Sequence, residues 1–478
     1  MLLPSFSSAD PWLAPGDEVA RHDIEMLADA GVIKGPITQW PISWPDIARD
    51  VNGFDQLGEL NAGEQAALSR LRRTARAMMR TNQIQGHARV AGTNQPEELR
   101  GFAATPREEG EIEGGIAWTG KYLAIRAQAT AVANADDGKT WRPDGSYIGV
   151  TAWNMMLSAG YTDRWWGPGW DGSLILSSSA RPIPTITLER NYSDPFKVPV
   201  LKWLGPWRAS IGLGALESER DDFDDTRIFE ARVTFKPWRH VEIGLSRTAL
   251  ICGKGRPCSL GTFWDMFIGN DNDQDLPEQP GDQLAGYDLR FSSPWRRVPF
   301  ALYGQMIGED EAGALPSKFL GLFGVEQWGS VGAGSYRVHV EYADTTCEFS
   351  RQVPQFDCAY ESSIYTVGYR FRGRAIGHSV DSDSRMTTLG VLYVGPVGAS
   401  WELVTRDAKL NRDATAAEEP AHTLAPLATD VKSVDLFYRR SLIGGQLTAA
   451  AGFESREIAS LSSKDDEWRV MAQWVREF

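Results

Sequence analysis

Residues 468–478 have the sequence WRVMAQWVREF, in which apolar and polar side chains alternate. The apolar positions are Trp468, Val470, Ala472, Trp474 and Phe478. The polar positions are Arg469, Gln473 and Glu477. Because successive side chains of a β-strand point to opposite sides, this period of two predicts a strand with one apolar and one polar face.

The same period recurs from about Ile84 to the end of the chain, without an interruption of helical period. It is clearest in segments 123–129, 229–235, 285–291 and 336–342. Further alternating segments lie at 207–215, 241–247, 363–371, 387–394, 400–406, 432–440 and 446–453. Turn sequences such as Gly395-Pro396 and Gly444-Gly445 separate them. The chain is therefore predicted to be mainly antiparallel β-sheet.

Several features favour a transmembrane antiparallel β-barrel over a soluble β-sandwich. The polar faces of the strands are rich in charge, as the lumen side of a membrane barrel is. Phe478 ends the last strand as in bacterial outer-membrane barrels, although Arg476 stands where those barrels have an apolar residue. At ~20–25 residues per strand and connection, the ~395 residues after 83 predict ~16–20 strands. Traces from Trp207 forward and from Phe478 backward disagree by one strand near residues 373–386.

The composition excludes two other classes of protein. Among 478 residues, 49 Lys and Arg stand against 63 Asp and Glu, and this net charge of −14 argues against a nucleic-acid binder. No apolar run reaches the ~18 residues that a membrane-spanning helix needs. The 18 Trp, 13 Tyr, 19 Phe and 47 Gly instead suit a barrel with aromatic girdles and many turns.

Residues 1–82 differ from the rest and are predicted to form a small helical domain, followed by the barrel at 83–478. One helix is expected after Pro15-Gly16-Asp17, ending at Gly31. A second begins after Asn61, which forms a capping box with Glu64, and fades near Asn82. The prolines in 36–45 predict an irregular connector between them. The first residues show no charged and apolar signal sequence, so we expect a form without one.

The four cysteines form two local pairs, Cys252/Cys258 and Cys347/Cys358. Their spacing does not match the usual zinc sites, and no histidine lies near either pair in the sequence. Two disulfides in an oxidising compartment are the better interpretation. Residues 271–275 resemble half of a calcium loop, but Leu276 and Asp282 replace its glycine and bidentate glutamate. We therefore expect no metal site and no cofactor.

Several longer motifs make the chain resemble one family over nearly its whole length. They are residues 21–23, 27–33, 40–41, 164–177, 180–182, 245–248, 252–253, 283–288, 303–311, 341–345 and 376–378. In this order they resemble the Wzi family of capsule-assembly outer-membrane proteins. The resemblance implies an eighteen-stranded outer-membrane barrel with a helical bundle on its periplasmic side. It further implies a lectin that holds capsular polysaccharide at the cell surface.

A saccharide site needs aromatic faces for sugar rings and polar groups for hydroxyls. Residues 164–171 offer both, and Gly167 and Gly169 permit sharp turns. The candidate polysaccharide-binding residues there are Arg164, Trp165, Trp166, Trp170 and Asp171. The alternative is that these tryptophans plug the lumen. Arg181 and Arg190 are further candidates, as partners of uronic-acid carboxylates, with salt bridges inside the lumen as the alternative.

The sequence thus predicts a lectin of the bacterial outer membrane that anchors capsular polysaccharide or a related exopolysaccharide. The alternative is a porin or saccharide-specific channel. Expected partners besides the polysaccharide are outer-membrane lipid, lipopolysaccharide and a periplasmic or export-machinery protein, with no nucleic acid and a monomeric state. Long connections 217–228 and 251–284 are expected outside the cell, and turn 236–240 in the periplasm.

An enzyme is not expected. His378 and Ser379 are neighbours in sequence and would point apart on a strand, and no Gly-x-Ser-x-Gly elbow is present. Glu309, Asp310 and Glu311 are carboxylates typical of glycosidases, but their spacing does not establish a catalytic pair.

Overall fold

The computed structural model describes residues 11–259, 261, 263, 264, 283–312, 315–414 and 422–478. Within these residues, eighteen antiparallel strands close into one barrel, as predicted. The first nine are β1 (Ile84–Thr93), β2 (Gly110–Thr119), β3 (Leu123–Ala133), β4 (Tyr147–Ala152), β5 (Met155–Tyr161), β6 (Pro184–Arg190), β7 (Trp207–Ala215), β8 (Arg227–Trp238) and β9 (Val241–Ile251). The others are β10 (Gln283–Ser292), β11 (Phe300–Ala312), β12 (Leu315–Val331), β13 (Gly334–Asp344), β14 (Arg385–Val394), β15 (Ser400–Leu410), β16 (Thr429–Leu442), β17 (Gly445–Ile458) and β18 (Ser463–Glu477). A two-residue segment, Trp141–Arg142, precedes β4 and pairs with β3.

The last strand closes the barrel by pairing with the first. In the register of β18 and β1, Met471 lies opposite Thr93 and Glu477 opposite His87. The backbone N–H of Phe478 donates to the carbonyl oxygen of Gly86 at 2.9 Å. The Phe478 ring lies 2.3 Å from where a Cβ of Gly86 would stand, so a side chain there would displace it.

The two faces of the barrel carry the predicted pattern. On β18, Trp468 and Val470 are 70% and 62% exposed, whereas Arg469 and Gln473 are buried toward the lumen. Inside, buried ions pair across strands, as Arg232 does with Asp288 at 2.6 Å. A polar interior and an apolar exterior invert the arrangement of a soluble protein and match a barrel in a bilayer.

Between residue 11 and the barrel lie three α-helices: α1 (Glu18–Asp29), α2 (Trp44–Asn52) and α3 (Ala62–Met78). The side chain of Asp17 caps α1, and the predicted capping box of Asn61 and Glu64 starts α3. Helix α2 was not predicted, because three prolines were taken to exclude regular structure in 36–45. Pro45 lies in its first turn, where the missing N–H has no helical partner to lose. None of these helices is both long and apolar enough to span a membrane.

The helices lie at the end of the barrel where tight turns such as 239–240, 332–333 and 443–444 are found. Arg70 of α3 pairs with Asp23 of α1 at 2.6 Å. The same guanidinium donates to the carbonyl oxygen of Gly395 in the β14–β15 turn at 3.0 Å. The connections 94–109, 162–183, 216–226 and 345–384 all start at the opposite end, which we call the outer end.

One predicted strand is wrong. Residues 363–371 belong to the long connection between β13 and β14, where only Arg370–Phe371 pairs with Arg374–Ala375 as a short hairpin. Their alternation arises because Tyr365, Tyr369 and Phe371 are buried in the interior. Removing this strand accounts for the disagreement near residues 373–386, since β14 begins at Arg385.

Both predicted disulfides, Cys252–Cys258 and Cys347–Cys358, are formed. They lie in connections at the outer end. The calcium-like stretch 271–275 and most of the predicted long connection 251–284 fall outside the described residues.

A charged side chain on the outward face should lower the stability of the barrel strongly in the middle of a strand and only slightly at a turn. Leu245 lies near the centre of β9, and Val331 lies at a tight turn; they are 50% and 55% exposed. We expect Leu245→Arg to lower the free energy of unfolding by about 2–4 kcal/mol and Val331→Arg by about 0–1 kcal/mol. Urea titration in phospholipid vesicles measures both, and equal costs would contradict the assigned membrane face.

Candidate functional site

Residues 162–183, between β5 and β6, leave the outer end and turn into the lumen; we call this segment the plug. Trp165 and Trp166 pair antiparallel with Gln39–Trp40 of the helical region. The backbone N–H of Gly167 donates to the carbonyl oxygen of Thr38 at 3.0 Å. Gly167 has a φ of 156°, which a residue with a side chain rarely adopts. The plug therefore joins the outer connections to the helices through the lumen.

Aromatic packing fixes the inner part of the plug. Trp165 meets Phe102 edge to face at 5.4 Å between ring centroids. The guanidinium of Arg21 lies 4.2 Å from the centroid of Trp170, which stacks on His339 at 5.5 Å. Trp165, Trp166 and Trp170 are 0%, 1% and 4% exposed. Their faces are covered by protein, as the lumen-plug alternative expects.

Hydrogen bonds tie the plug to several strands of the wall. The backbone N–H groups of Trp170 and Asp171 donate to Glu341 on β13 at 2.7 and 3.1 Å. The N–H of Leu174 donates to Gln305 on β11 at 2.7 Å. These contacts satisfy plug backbone groups that are shielded from bulk water.

Asp171 makes the strongest contact between plug and wall. It accepts two hydrogen bonds from Arg406 on β15, at 2.8 and 2.7 Å, and one from the hydroxyl of Thr388 on β14 at 2.7 Å. Burial by itself raises the pKa of Asp171. The charge of Arg406 and these hydrogen bonds outweigh it and hold the pKa below its ordinary value.

Arg406 also joins other parts of the structure. Its Nη1 lies 2.7 Å from Glu97 in connection 94–109 and 3.4 Å from Asp435 on β16. The guanidinium therefore links the plug, a second inserted segment and the wall.

At the outer end, side chains from four separate connections form a group that we call the outer arginine cluster. It consists of Arg100, Arg107, Arg142, Arg181, Arg372 and Arg374. They line a small pocket of about 40 Å³ together with four carboxylates, Glu97, Glu108, Asp136 and Asp137. Guanidinium groups thus outnumber carboxylates in a protein whose net charge is −14.

Two guanidinium groups of the cluster are incompletely paired. In the described part of the chain, buried Nε of Arg100 and Nη1 of Arg374 have no hydrogen-bond partner. Burial, with the nearby charge of Arg107, lowers the pKa of Arg100 to about 9. An anion at this position would satisfy these donors.

A larger cavity of about 330 Å³ lies next to the cluster, against the inner face of β1–β3. Arg100, Arg107 and Arg142 line both spaces. Within the cavity, Arg89 pairs with Glu111 at 2.5 Å. Its volume is at the lower end of the ~300–1,000 Å³ typical of small-molecule sites.

The structure separates the candidate residues predicted from sequence. Arg181 belongs to the outer arginine cluster and pairs with Asp144 at 2.8 Å. Arg164 is directed to the wall, 3.4 Å from Glu230 on β8. Arg190 lies at the opposite end of β6 from Arg181, over the ring of Trp207 at 3.9 Å. Thus Arg181 and Arg190 do not share one site.

Five members of the cluster were not predicted from the sequence: Arg100, Arg107, Arg142, Arg372 and Arg374. Their common feature is that they are arginines in or beside connections between strands on the outer end. That feature becomes recognisable only once the strand count and the orientation of each connection are known.

The barrel and its filled lumen define a class: a bacterial outer-membrane β-barrel closed by inserted segments. The family model described as "Capsule assembly protein Wzi" matches residues 79–468. The chain belongs to this Wzi family.

Two relatives support the assignment. An "Uncharacterized 55.8 kDa protein in cps region" of Klebsiella pneumoniae is 32% identical over 343 residues, which are 71% of this chain and 66% of the relative. The chain thus matches just under two thirds of that relative's length. The structure of Wzi from Escherichia coli aligns with a TM-score of 0.85 and 26% identity, covering 98% of this chain and 99% of the other. That protein is described as a carbohydrate-binding β-barrel involved in group 1 capsule assembly.

The contact between Asp171 and Arg406 should control the order of the plug. We expect Asp171→Asn to lower the free energy of local unfolding of the plug by about 2 kcal/mol, which is what a charged hydrogen bond contributes. Amide exchange in residues 166–176 should then be roughly 30-fold faster. Hydrogen exchange followed by mass spectrometry measures this. Asp430→Asn, at a half-exposed pair with Lys409, is the matched control and should leave the plug unchanged.

The same contact sets a pH dependence. Because the folded pKa of Asp171 is below its unfolded value of about 3.9, the contact stabilises the plug above that value and is lost as pH falls through the folded pKa. We expect the difference in near-ultraviolet circular dichroism between the wild type and Asp171→Asn to persist from pH 7 to 5. It should vanish only below about pH 4. A loss of that difference between pH 5 and 6 would contradict the assignment.

Proposed function

We propose that the protein is an outer-membrane lectin that binds capsular polysaccharide, or a related exopolysaccharide, and anchors it at the bacterial cell surface. The observation that carries the proposal is the outer arginine cluster, in which six guanidinium groups and four carboxylates line one pocket at the outer end. Membership of the Wzi family and the likeness to a carbohydrate-binding barrel support it.

The chemistry of the cluster favours an acidic polysaccharide. A guanidinium presents a planar fork of donors that matches a carboxylate in a bidentate manner. The unpaired Nε of Arg100 and Nη1 of Arg374 are donors of this kind. In this proposal a uronic-acid carboxylate pairs with the cluster, and the adjacent cavity of about 330 Å³ accommodates neighbouring sugar groups. Of the residues predicted from sequence, Arg181 contributes directly.

The tryptophans of the plug have an indirect role in this proposal. Trp165, Trp166 and Trp170 hold the plug in the lumen, and Arg164 and Asp171 attach it to the wall. The plug then positions Arg181 beside Arg142 and Asp137. Arg190 lies too far toward the helices to take part in binding at the outer end.

A porin or saccharide channel is less well supported than a lectin. The plug bonds to β11, β13, β14 and β15. The helical region, residues 11–82, also bonds to several strands of the wall, β9 among them. The N–H groups of Ile37 and Thr38 donate to Glu242 on β9 at 2.9 and 2.7 Å. A channel would require these contacts to break.

We propose binding without catalysis. The hydroxyl of Ser384 lies 3.3 Å from Nε2 of His422. However, Nδ1 of His422 accepts from the N–H of Ala425, so its proton resides on Nε2, which faces the carbonyl oxygen of Val380 at 3.0 Å. This imidazole is therefore not arranged to take a proton from the serine.

His378 is also buried, and its Nδ1 accepts from the N–H of Val380 at 3.2 Å. Burial lowers its pKa to about 4.

The side chains of Asp310 and Glu311 fall outside what the structure describes.

Residues 1–82 are proposed as a periplasmic unit of a monomeric protein, with the barrel at 83–478. Arg73 and Arg76 of helix α3, and Arg80 just after it, are exposed to solvent at the end away from the outer arginine cluster. A periplasmic or export-machinery protein would meet this face, while the barrel contacts lipid and lipopolysaccharide.

The lectin proposal is tested by removing charge from the accessible side of the cluster. We expect Arg372→Gln combined with Arg374→Gln to weaken binding of acidic capsular polysaccharide about 10-fold or more, since each charged contact is worth about 1.5–3 kcal/mol. Biolayer interferometry with immobilised polysaccharide and detergent-solubilised full-length protein measures the affinity. Added salt should weaken the wild type more than the variant.

Arg73→Gln, which removes a solvent-exposed arginine from α3, is the matched control and should bind as the wild type does. Equal loss in the control and the double variant would indicate non-specific attraction. Full binding by the double variant would exclude the outer arginine cluster as the site.

A further inference from the structure

Three carboxylates of connection 345–384 converge at the outer end: Asp357, Glu361 and Asp383. One oxygen of each lies within 4.8 Å of the others. Asp357 is exposed, Glu361 is half-buried and Asp383 is buried. We call this group the outer carboxylate site.

The donor set fits one calcium ion. The three oxygens all lie within 4.8 Å of one another, so a single cation can contact each of them. Calcium takes about six to eight oxygen ligands, carboxylates among them, in a flexible geometry. Magnesium keeps several waters and is usually held by only one or two carboxylates, so three converging carboxylates favour calcium.

A second observation points to a missing ligand. Asp383 is only 2% exposed, and its Oδ1 has no hydrogen-bond partner among the described residues. Its other oxygen accepts a single long hydrogen bond, from the N–H of Asp357 at 3.3 Å. A buried carboxylate with so few partners is costly unless a cation or a proton neutralises it.

The arginines nearby do not supply that cation. Arg370 is committed to Asp381 at 3.1 Å and lies 3.6 Å from Glu361. Arg412 lies 3.7 Å from Asp344. In the part of the chain that the structure describes, neither of these two guanidinium groups lies within ion-pair distance of Asp383. Asp413 adds a further buried oxygen, Oδ1, that lacks a hydrogen-bond partner there.

We propose that the outer carboxylate site binds Ca²⁺ through Asp357, Glu361 and Asp383, with Asp413 as an adjacent acidic group. The expectation of no metal site rested on the cysteine spacing and on residues 271–275. Residues 357–361 and 383 are distant in sequence and match no calcium loop. The cation joins residues 357–361 of connection 345–384 to Asp383 at the end of that connection, next to the disulfide Cys347–Cys358. It thereby holds in place the hairpin that carries Arg372 and Arg374.

Calcium titration of the full-length protein in detergent, after removal of metal with EDTA, tests the site. Isothermal titration calorimetry should show one saturable Ca²⁺ site with a Kd of about 10⁻⁴–10⁻³ M, as in extracellular modules. We expect Asp383→Asn to weaken it at least 10-fold, and Mg²⁺ to bind at least 10-fold more weakly than Ca²⁺. Glu219→Gln, which removes an 86%-exposed carboxylate from another outer connection, is the matched control.

Co-purified lipopolysaccharide binds Ca²⁺ in every variant, so only the difference between variants is assigned to the site. Equal Ca²⁺ binding by the wild type and Asp383→Asn would overturn the proposal, as would equal affinity for Mg²⁺. Glu361→Gln, at a half-buried position, provides a second variant if Asp383→Asn does not fold.

Hydrogen exchange gives an independent measurement on the wild type alone. Ca²⁺ should slow amide exchange in residues 355–362 about 10-fold relative to EDTA. No change in that segment would also overturn the proposal. None of these outcomes depends on whether the protein binds polysaccharide.

Discussion

A strand edge cannot be left unpaired in a bilayer, and this constraint determines most of the molecule. The pairing of β18 with β1 removes the last unpaired strand edge and closes a barrel of eighteen strands. Barrels of about this width leave an aqueous lumen when their own side chains alone face inward. The space must therefore be filled by water or by inserted chain. Here the plug and connections 94–109 and 345–384 enter it, and the helices lie against its other end.

Inserted chain in this lumen meets a wall that is partly apolar and partly charged, so apolar burial holds only part of it. The inner face presents carboxylates and guanidinium groups, and these select segments with complementary charge. Arg406 shows the result, because one guanidinium contacts the plug at Asp171, a second segment at Glu97 and the wall at Asp435. A buried ion network of this kind is stable only when every member is present, since removal of one partner leaves a charge without solvent. The network therefore specifies one arrangement of the plug more than it contributes net stability.

The sequence predicted the barrel because membrane strands have an obligatory period of two, and it predicted α3 because capping is a local interaction. The two disulfides could be predicted as well, because each joins cysteines that are close in the sequence. The false strand at 363–371 shows where this logic fails: a segment buried on one side inside the lumen alternates like a strand facing lipid. Helix α2 was missed because proline excludes helix only beyond the first turn. The outer arginine cluster was missed because its members come from four connections that closure of the barrel brings together. The tryptophans near 165–170 were conspicuous in sequence, yet aromatic residues serve packing as readily as sugar binding.

Charge balance differs between the depth of the lumen and the outer end, and the difference separates structure from binding. At membrane depth, ions such as Arg232 and Asp288 are paired closely, because an unpaired charge there is expensive. At the outer end, two neighbouring groups are unbalanced in opposite senses: guanidinium groups prevail in the outer arginine cluster and carboxylates in the outer carboxylate site. Arg370 lies between them, 3.6 Å from Glu361 and two residues from Arg372. Arg100 and Asp383 are both buried, so their unpaired atoms are costly as long as no ligand contacts them. Under the two proposals, an acidic saccharide would complete the outer arginine cluster and a divalent cation the outer carboxylate site. The hairpin at 370–375 would then couple the order of the two groups.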